Sequence, residues 1–216
     1  MNKYLVILIM TLLCFACKKE EGCVDPLALN YNSNATIDDG SCDYALISDL
    51  NINFTQTVNG EPLILDSMMY TNQSNQNYSV QTVRYLISDI NLHTENGAIT
   101  LLDEVHFIDF SIDSTLTLSI AEVNNANYTS ISFTMGLASN NNVTNLFLNE
   151  NFFPSFAWPE FLGGGYHYMQ LEGDFNTVFN GYATHTGPTD GIDFSFNITF
   201  PLNINQTNNI QDIYIN

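Results

Sequence analysis

The stretch "GIDFSFNITFPLNIN", residues 191–205, sets Ile192, Phe194, Phe196, Ile198, Phe200, Leu202 and Ile204 at every second position, with polar or small residues between them. Period two puts all seven side chains on one side of an extended chain, as a half-buried antiparallel strand requires and a helix does not allow. Less regular versions run through "LNINFTQTV", "VQTVRYLISDINLH", "ITLLDEVHFIDF", "TLTLSI", "YTSISFTMGL" and "GYHYMQLEGDF", divided by Asn- and Gly-rich turns. Only "NVTNLFLNENF" suggests a helix, and a short one. Many short strands without intervening helices do not build a parallel α/β sheet. The expectation is therefore an all-β chain, with one antiparallel β-sandwich of Greek-key, Ig-like type over residues 45–216.

The chain opens "MNKYLVILIMTLLCFACKKEEGC", a basic start, an apolar run from Tyr4 to Phe15, and Ala16 before Cys17. That run is shorter than the ~20 apolar residues of a spanning helix. A small residue before a cysteine gives residues 1–16 the form of a lipoprotein signal peptide, with Cys17 as the lipidated N-terminus. An ordinary signal peptide cut near Ala16 and an uncleaved anchor helix are the alternatives. Several acyl chains on Cys17 anchor more firmly than one, which implies a lipid-anchored protein of a bacterial outer membrane or cell surface, or its periplasmic face.

Charge narrows the partners. Lys3, Lys18, Lys19 and Arg84 are the only bases, so one base faces 23 acids beyond Lys19. Nucleic acid and anionic membrane surfaces need clustered Lys or Arg and are poor partners; a cation or a basic protein fits better.

Cys14 falls in the signal and Cys17 takes the lipid, leaving Cys23 and Cys42. An even pair in an oxidising compartment is most simply one disulfide. The segment they bracket, "GCVDPLALNYNSNATIDDGSCDY", resembles a short module repeated in surface proteins of the Bacteroidetes group. It is polar and turn-rich, with Asp25 before Pro26 and Asp38, Asp39 before Gly40, and too small for a core of its own. The acids of residues 23–43 could hold calcium but lack the spacing of an EF-hand loop. Residues 17–44 read as a lipid-bearing, disulfide-stapled spacer.

Enzyme motifs are largely missing: there is no G-x-S-x-G elbow, phosphate loop, H-E-x-x-H helix or dinucleotide fingerprint. A binding protein is expected rather than an enzyme. Four histidines carry what chemistry there is. His93 in "NLHTENG" ends a strand beside a turn and reads as solvent-exposed. His106 in "EVHFIDF" shares a face with Ile108 and Phe110, opposite Phe107. His167 follows three glycines in "GGGYHYM", and His185 in "ATHTGP" sits on a loop or strand end. Imidazoles gathered from separate strands suit copper or zinc, and structural histidines in a packed sheet are the alternative.

The run "TVRYLISDINL", then "HFIDF", "YTSISFTMGL", "WPEFLGGGYHYMQLEG" and "THTG", in this order, resembles the MbnP-like family, related to methanobactin-associated and surface copper-binding proteins of methane-oxidising bacteria. The likeness runs from about Ile52 to Phe200. It implies a secreted β-sandwich that binds one copper through histidine nitrogens, in some members with a tryptophan oxidised to kynurenine as a further ligand. It also implies a di-haem cytochrome c peroxidase-like partner that performs the oxidation. Carried across, Trp158 takes the tryptophan position, His167 lies in the "GGGYHYM" variant, and His185 falls on the family's H-x-G. His106 stands where relatives have a Tyr-His or Tyr-Tyr pair. A surface adhesion or scaffold module, in which these residues only pack, is the alternative from another class.

Overall fold

The computed structural model describes residues 19–26, 28–43, 47–95, 97–124, 126, 128–176, 181–202 and 210–216. The expected signal peptide and the lipidation position Cys17 lie outside the described residues. The chain divides into two compact units between Leu46 and Ile47.

In the first unit Cys23 and Cys42 form the expected disulfide, their Cα atoms 4.7 Å apart. Two short strands, β1 (Glu21–Gly22) and β2 (Ile37–Asp38), pair in parallel. The acids here hold turns: Asp38 Oδ1 accepts the Gly40 N–H and Asp39 Oδ1 the Ser41 N–H. Such side-chain bonds stand in for a core the segment is too small to build.

The second unit holds β3 (Ile47–Phe54), β4 (Thr57–Val58), β5 (Glu61–Pro62), β6 (Tyr70–Thr71), β7 (Asn77–Thr94), β8 (Ile99–Asp109), β9 (Thr117–Asn124), β10 (Tyr128–Met135), β11 (Met169–Phe175), β12 (Gly181–Thr186), β13 (Phe196–Pro201) and β14 (Ile210–Ile215). The long β7 is the axis of the larger sheet. One of its edges carries β6 and then β8; the other carries β11 along Tyr78–Tyr85 and β10 along Ile87–Thr94. Both β10 and β11 run antiparallel to β7, so they are two halves of one line. Leu86 marks the join, donating its N–H to the Tyr168 carbonyl and accepting the Gly136 N–H. Outside them β12 flanks β11 and β13 flanks β10, a second line opened over residues 187–195. Two neighbouring strands are thus interrupted at the same level.

A smaller sheet, in the order β14-β3-β9, lies across the inner face. Leu50, Ile52 and Phe54 of β3 meet Ile87, Ile90 and Leu92 of β7, Ile108 of β8, and Ile131 and Phe133 of β10. Each such side chain, when fully buried, contributes roughly 1.5–3 kcal/mol. Ile87 and Ile90 share a face despite their odd spacing because the ladder slips at Asp89, whose φ is 51°. The outer face has its own core: Leu86 and Phe107 from the sheet, and Leu137, Phe152, Phe156 and Tyr166 from the Gly136–Tyr168 excursion folded back onto it. The architecture is the expected all-β sandwich.

Two local expectations differ, and one strand was not expected. The stretch "NVTNLFLNENF" forms successive turns instead of a helix, with Asn145 at φ 65°. Its aromatics are drawn into the outer core, which leaves Leu146 and Leu148 exposed. Among the described residues of the alternating stretch only Ile198, Phe200 and Leu202 pack on the inner core, while Ile192, Phe194 and Phe196 are 57, 56 and 58 % exposed; Ile204 lies outside the described residues. Asp193 holds the chain away from the ladder there, because its carboxylate accepts the Tyr168 hydroxyl and the Ser139 and Ser195 N–H groups. Finally, "IQDIYIN" supplies β14, parallel to β3, with Ile213 and Ile215 packed on the inner core. The weak alternation of those few residues did not announce a strand.

Gly136 leaves β10 at φ 90°, and a Cβ there would lie 2.4 Å from the Tyr168 ring. Gly97 has φ 86° with nothing within 4 Å. Gly97→Ala should therefore cost about 1–2 kcal/mol for the left-handed backbone alone. Gly136→Ala should add roughly 1–3 kcal/mol of overpacking. Equal losses in urea unfolding would contradict the close approach of Gly136 to Tyr168.

Candidate metal centre

The Gly136–Tyr168 excursion ends in a narrow hairpin. The Trp158 backbone N–H donates to the Gly165 carbonyl at 2.9 Å, the His167 backbone N–H to the Phe156 carbonyl at 2.8 Å, and Ala157 bridges Tyr166. Pro159 starts the turn at φ −61°, a single 3-10 turn follows over Glu160–Leu162, and Gly163, Gly164 and Gly165 return the chain at φ 125°, 71° and 85°. Those backbone angles are open to glycine and strained for other residues. A Cβ on Gly165 would also lie 2.4 Å from Asn142 Oδ1, the atom that accepts the Tyr166 N–H at 2.7 Å. The glycines therefore set Trp158 and His167 on facing arms of one hairpin.

His167 stands just before β11 and is 7 % exposed. Its Nδ1 lies 3.0 Å from the Phe156 carbonyl, which can only accept, so Nδ1 carries the proton and Nε2 keeps its lone pair. The ring stands edge-on to Trp158, centroids 4.7 Å apart at 90°, and edge-on to His185, 5.1 Å apart at 78°. His185 lies on β12 opposite Gln170, with Nε2 2.7 Å from Glu172 Oε1. Two residues on, a Cβ at Gly187 would come within 2.6 Å of the Trp158 indole. Glycine in the H-x-G triplet is what lets the indole lie against β12. Trp158 Nε1 is buried with no hydrogen-bond partner, which is uncommon for so strong a donor.

Burial holds the His167 pKa below the usual imidazole value, and the neighbouring His185 acts the same way; the Phe156 carbonyl and Glu172 pull against them. His167 is therefore a neutral imidazole at neutral pH, the form that binds metal.

Nitrogen donors of this kind suit copper or zinc. Two imidazoles on one ion, at metal–nitrogen distances of about 2 Å and a tetrahedral angle, place their ring centres roughly 5 Å apart. The observed 5.1 Å matches that. Among the described residues no three His, Cys, Asp or Glu side chains converge to hold a metal, and Trp158 is the remaining nitrogen-bearing ring packed on His167. An indole nitrogen only donates, whereas the amine and carbonyl of a kynurenine have lone pairs. The chemistry of the set fits copper with a modified tryptophan.

The other two histidines lie elsewhere. His106 stacks on Phe54 at 5.5 Å and its Nε2 lies 2.9 Å from the Thr115 carbonyl. The adjacent Phe107 points the other way and packs on Phe156, which in turn packs on His167. Strand alternation thus puts His106 on the inner face and the Trp158 cluster on the outer face, so the structure does not bring His106 to the centre. His93 is half-buried, not solvent-exposed at a turn, with Nε2 2.7 Å from Ser132 Oγ. Glu172, which sequence reasoning missed, is a diagonal neighbour of His185 across the β11–β12 ladder. Only the register of that hairpin reveals it.

A family model described as MbnP matches residues 47–216. Among solved structures, MbnP from Methylosinus trichosporium is similar with a TM-score of 0.51 and 11 % identity, covering 72 % of this chain and 71 % of that one. At that identity the likeness concerns the fold. No curated protein matches the chain.

The single tryptophan makes the cluster self-reporting. In metal-free protein, protonating His167 beside the indole should change Trp158 emission with a midpoint below 6.5, and His167→Gln should remove the step. Because the folded protein takes this proton less readily than the unfolded chain, its stability is complete above about pH 6.5. It should fall as pH drops through the lowered His167 value. A midpoint at or above 6.5 would contradict burial as the governing influence.

Proposed function

From the chain's membership of the MbnP family, which the match over residues 47–216 establishes, we propose that it binds one copper ion outside the cytoplasm. In this reading copper is held by His167 and His185, with Trp158 as a third ligand once it is converted to kynurenine by a di-haem cytochrome c peroxidase-like partner. The observation that carries it is the packing of Trp158 and His185 each edge-on against His167, with the indole nitrogen buried and without an acceptor. When bound, copper supplies a Lewis-acidic, one-electron centre; the residues around it bind, orient and shield, and we assign no catalytic turnover to them. His167 is oriented by the Phe156 carbonyl, Trp158 is pressed on Gly187, and Phe156 closes the inner side.

The remaining parts serve this role. Cys17 carries the lipid that holds the protein at the outer membrane or cell surface, and residues 17–44 form the spacer. Calcium has no part in our reading of that spacer, since Asp38 and Asp39 are engaged in its turns. Arg84, the only base beyond Lys19, is paired with Asp109 at 2.8 Å. The surface left over is anionic and favours cations and basic partners. A metal-free adhesion or scaffold module is the second reading, favoured by the exposed Ile192, Phe194 and Phe196.

Native mass spectrometry with peptide mapping, on protein purified from its own cells, separates the two. One copper, an oxidised Trp158, and a double variant His167→Ala/His185→Ala that folds but carries no metal are expected. Unmodified Trp158 with no metal in the wild type would leave the scaffold reading.

A further inference from the structure

We propose that Glu172 is a positioning residue of the metal centre: its carboxylate keeps the proton of His185 on Nε2, so that His185 binds metal through Nδ1 while His167 binds through Nε2. This rests on the copper reading above.

A neutral imidazole has one N–H, and the ring nitrogen facing an acceptor keeps it. For His167 the acceptor is the Phe156 carbonyl at Nδ1, 3.0 Å away, and Nε2 is left with its lone pair. For His185 the acceptor is the Glu172 carboxylate at Nε2, 2.7 Å away, and the lone pair is on Nδ1. The two rings, 5.1 Å apart, therefore present opposite nitrogens. Acceptors on the far nitrogen are the usual outer shell of a metal-bound histidine: they fix tautomer and ring orientation and raise basicity.

The position of Glu172 is built into the sheet. Gln170 faces His185 and Glu172 faces Ala183 across β11 and β12, so Glu172 and His185 are diagonal neighbours on one face, within reach of long side chains. The Glu172 carboxylate makes no other hydrogen bond among the described residues, whereas that of Asp174, two residues on, is engaged by Gln81 at 2.8 Å. The two outer acceptors also differ in kind. The one at His167 is a neutral backbone carbonyl that no substitution removes; the one at His185 is an ionisable, half-exposed side chain. Of the two outer acceptors, the one at His185 is therefore the one that a substitution can change.

The test compares full-length wild type, E172A and E172Q produced in the cells of origin, so that Trp158 is in the same state in all three. Nitrogen-15 NMR of the metal-free proteins reads the tautomers, and competition titration with Cu(II) reads affinity. Wild type should show the Nε2–H form of His185 beside the Nδ1–H form of His167. E172A should show a tautomer mixture at His185 and bind copper about 10–100-fold more weakly. E172Q, whose amide oxygen can still accept the Nε2–H, should stay close to wild type in both readouts. An Nδ1–H form of His185 in the wild type, or equal copper affinity in E172A, overturns the proposal. So does E172Q as impaired as E172A, which would mark Glu172 as a direct ligand. Wild type that binds no copper overturns the function reading, and this proposal's metal arm with it, while the tautomers still report whether Glu172 sets the proton of His185.

Discussion

The backbone of Leu86 is the point on which the Trp158–His167–His185 cluster depends. Its carbonyl ends β10 at Gly136 and its N–H starts β11 at Tyr168, so one strand position is shared by two strand halves. A continuous strand would have left no room on the sheet for anything but side chains. By letting the chain out and taking it back one residue later along β7, the fold inserts a hairpin without losing the ladder. The second interruption, between β12 and β13, lies beside the first. Asp193 within it ties both ends of the excursion, accepting the Ser139 N–H and the Tyr168 hydroxyl. Burial raises the Tyr168 pKa to about 12 and the Asp193 carboxylate acts in the same direction, so the hydroxyl stays a donor at any ordinary pH.

The two faces of the larger sheet therefore do different work. The inner face carries the aliphatic core shared with β3 and β9 and would serve any β-sandwich. The outer face carries an aromatic core in which Phe107, Phe152, Phe156 and Tyr166 pack tilted or edge to face at 5.1–5.7 Å. Rings hold such geometries more sharply than aliphatic chains because their quadrupoles favour tilted contacts. Phe156 joins that cluster to His167 at 5.4 Å, so the position of the first imidazole is inherited from the aromatic core. The position of the second is inherited from the β11–β12 ladder.

Period-two alternation made the strands legible, and with them the class of fold and the opposite facing of His106 and Phe107. It misjudged the reach of the alternating stretch around Ile192 and Phe194, because alternation reports which side a residue faces and not whether a second layer extends far enough to cover it. The candidate cluster was legible in part. Three glycines after a Trp-Pro pair signal a tight return; the close approach of Gly187 to Trp158, like that of Gly165 to Asn142, is visible only in the structure. Glu172 and the Leu86 join were not legible. Both are properties of register, which one strand's pattern cannot supply without its neighbour's.

Trp158 is the residue that a purely structural account explains least well. Its ring fills the space between His167 and Gly187, and phenylalanine or leucine could fill much of that space without a polar atom. A buried donor left without an acceptor costs about 1–3 kcal/mol. The surrounding fold does nothing to relieve it, although nearby it satisfies Tyr166, Tyr168 and Gln170 with dedicated partners. The fold thus meets the needs of those three polar groups and leaves the indole nitrogen without an acceptor among the described residues.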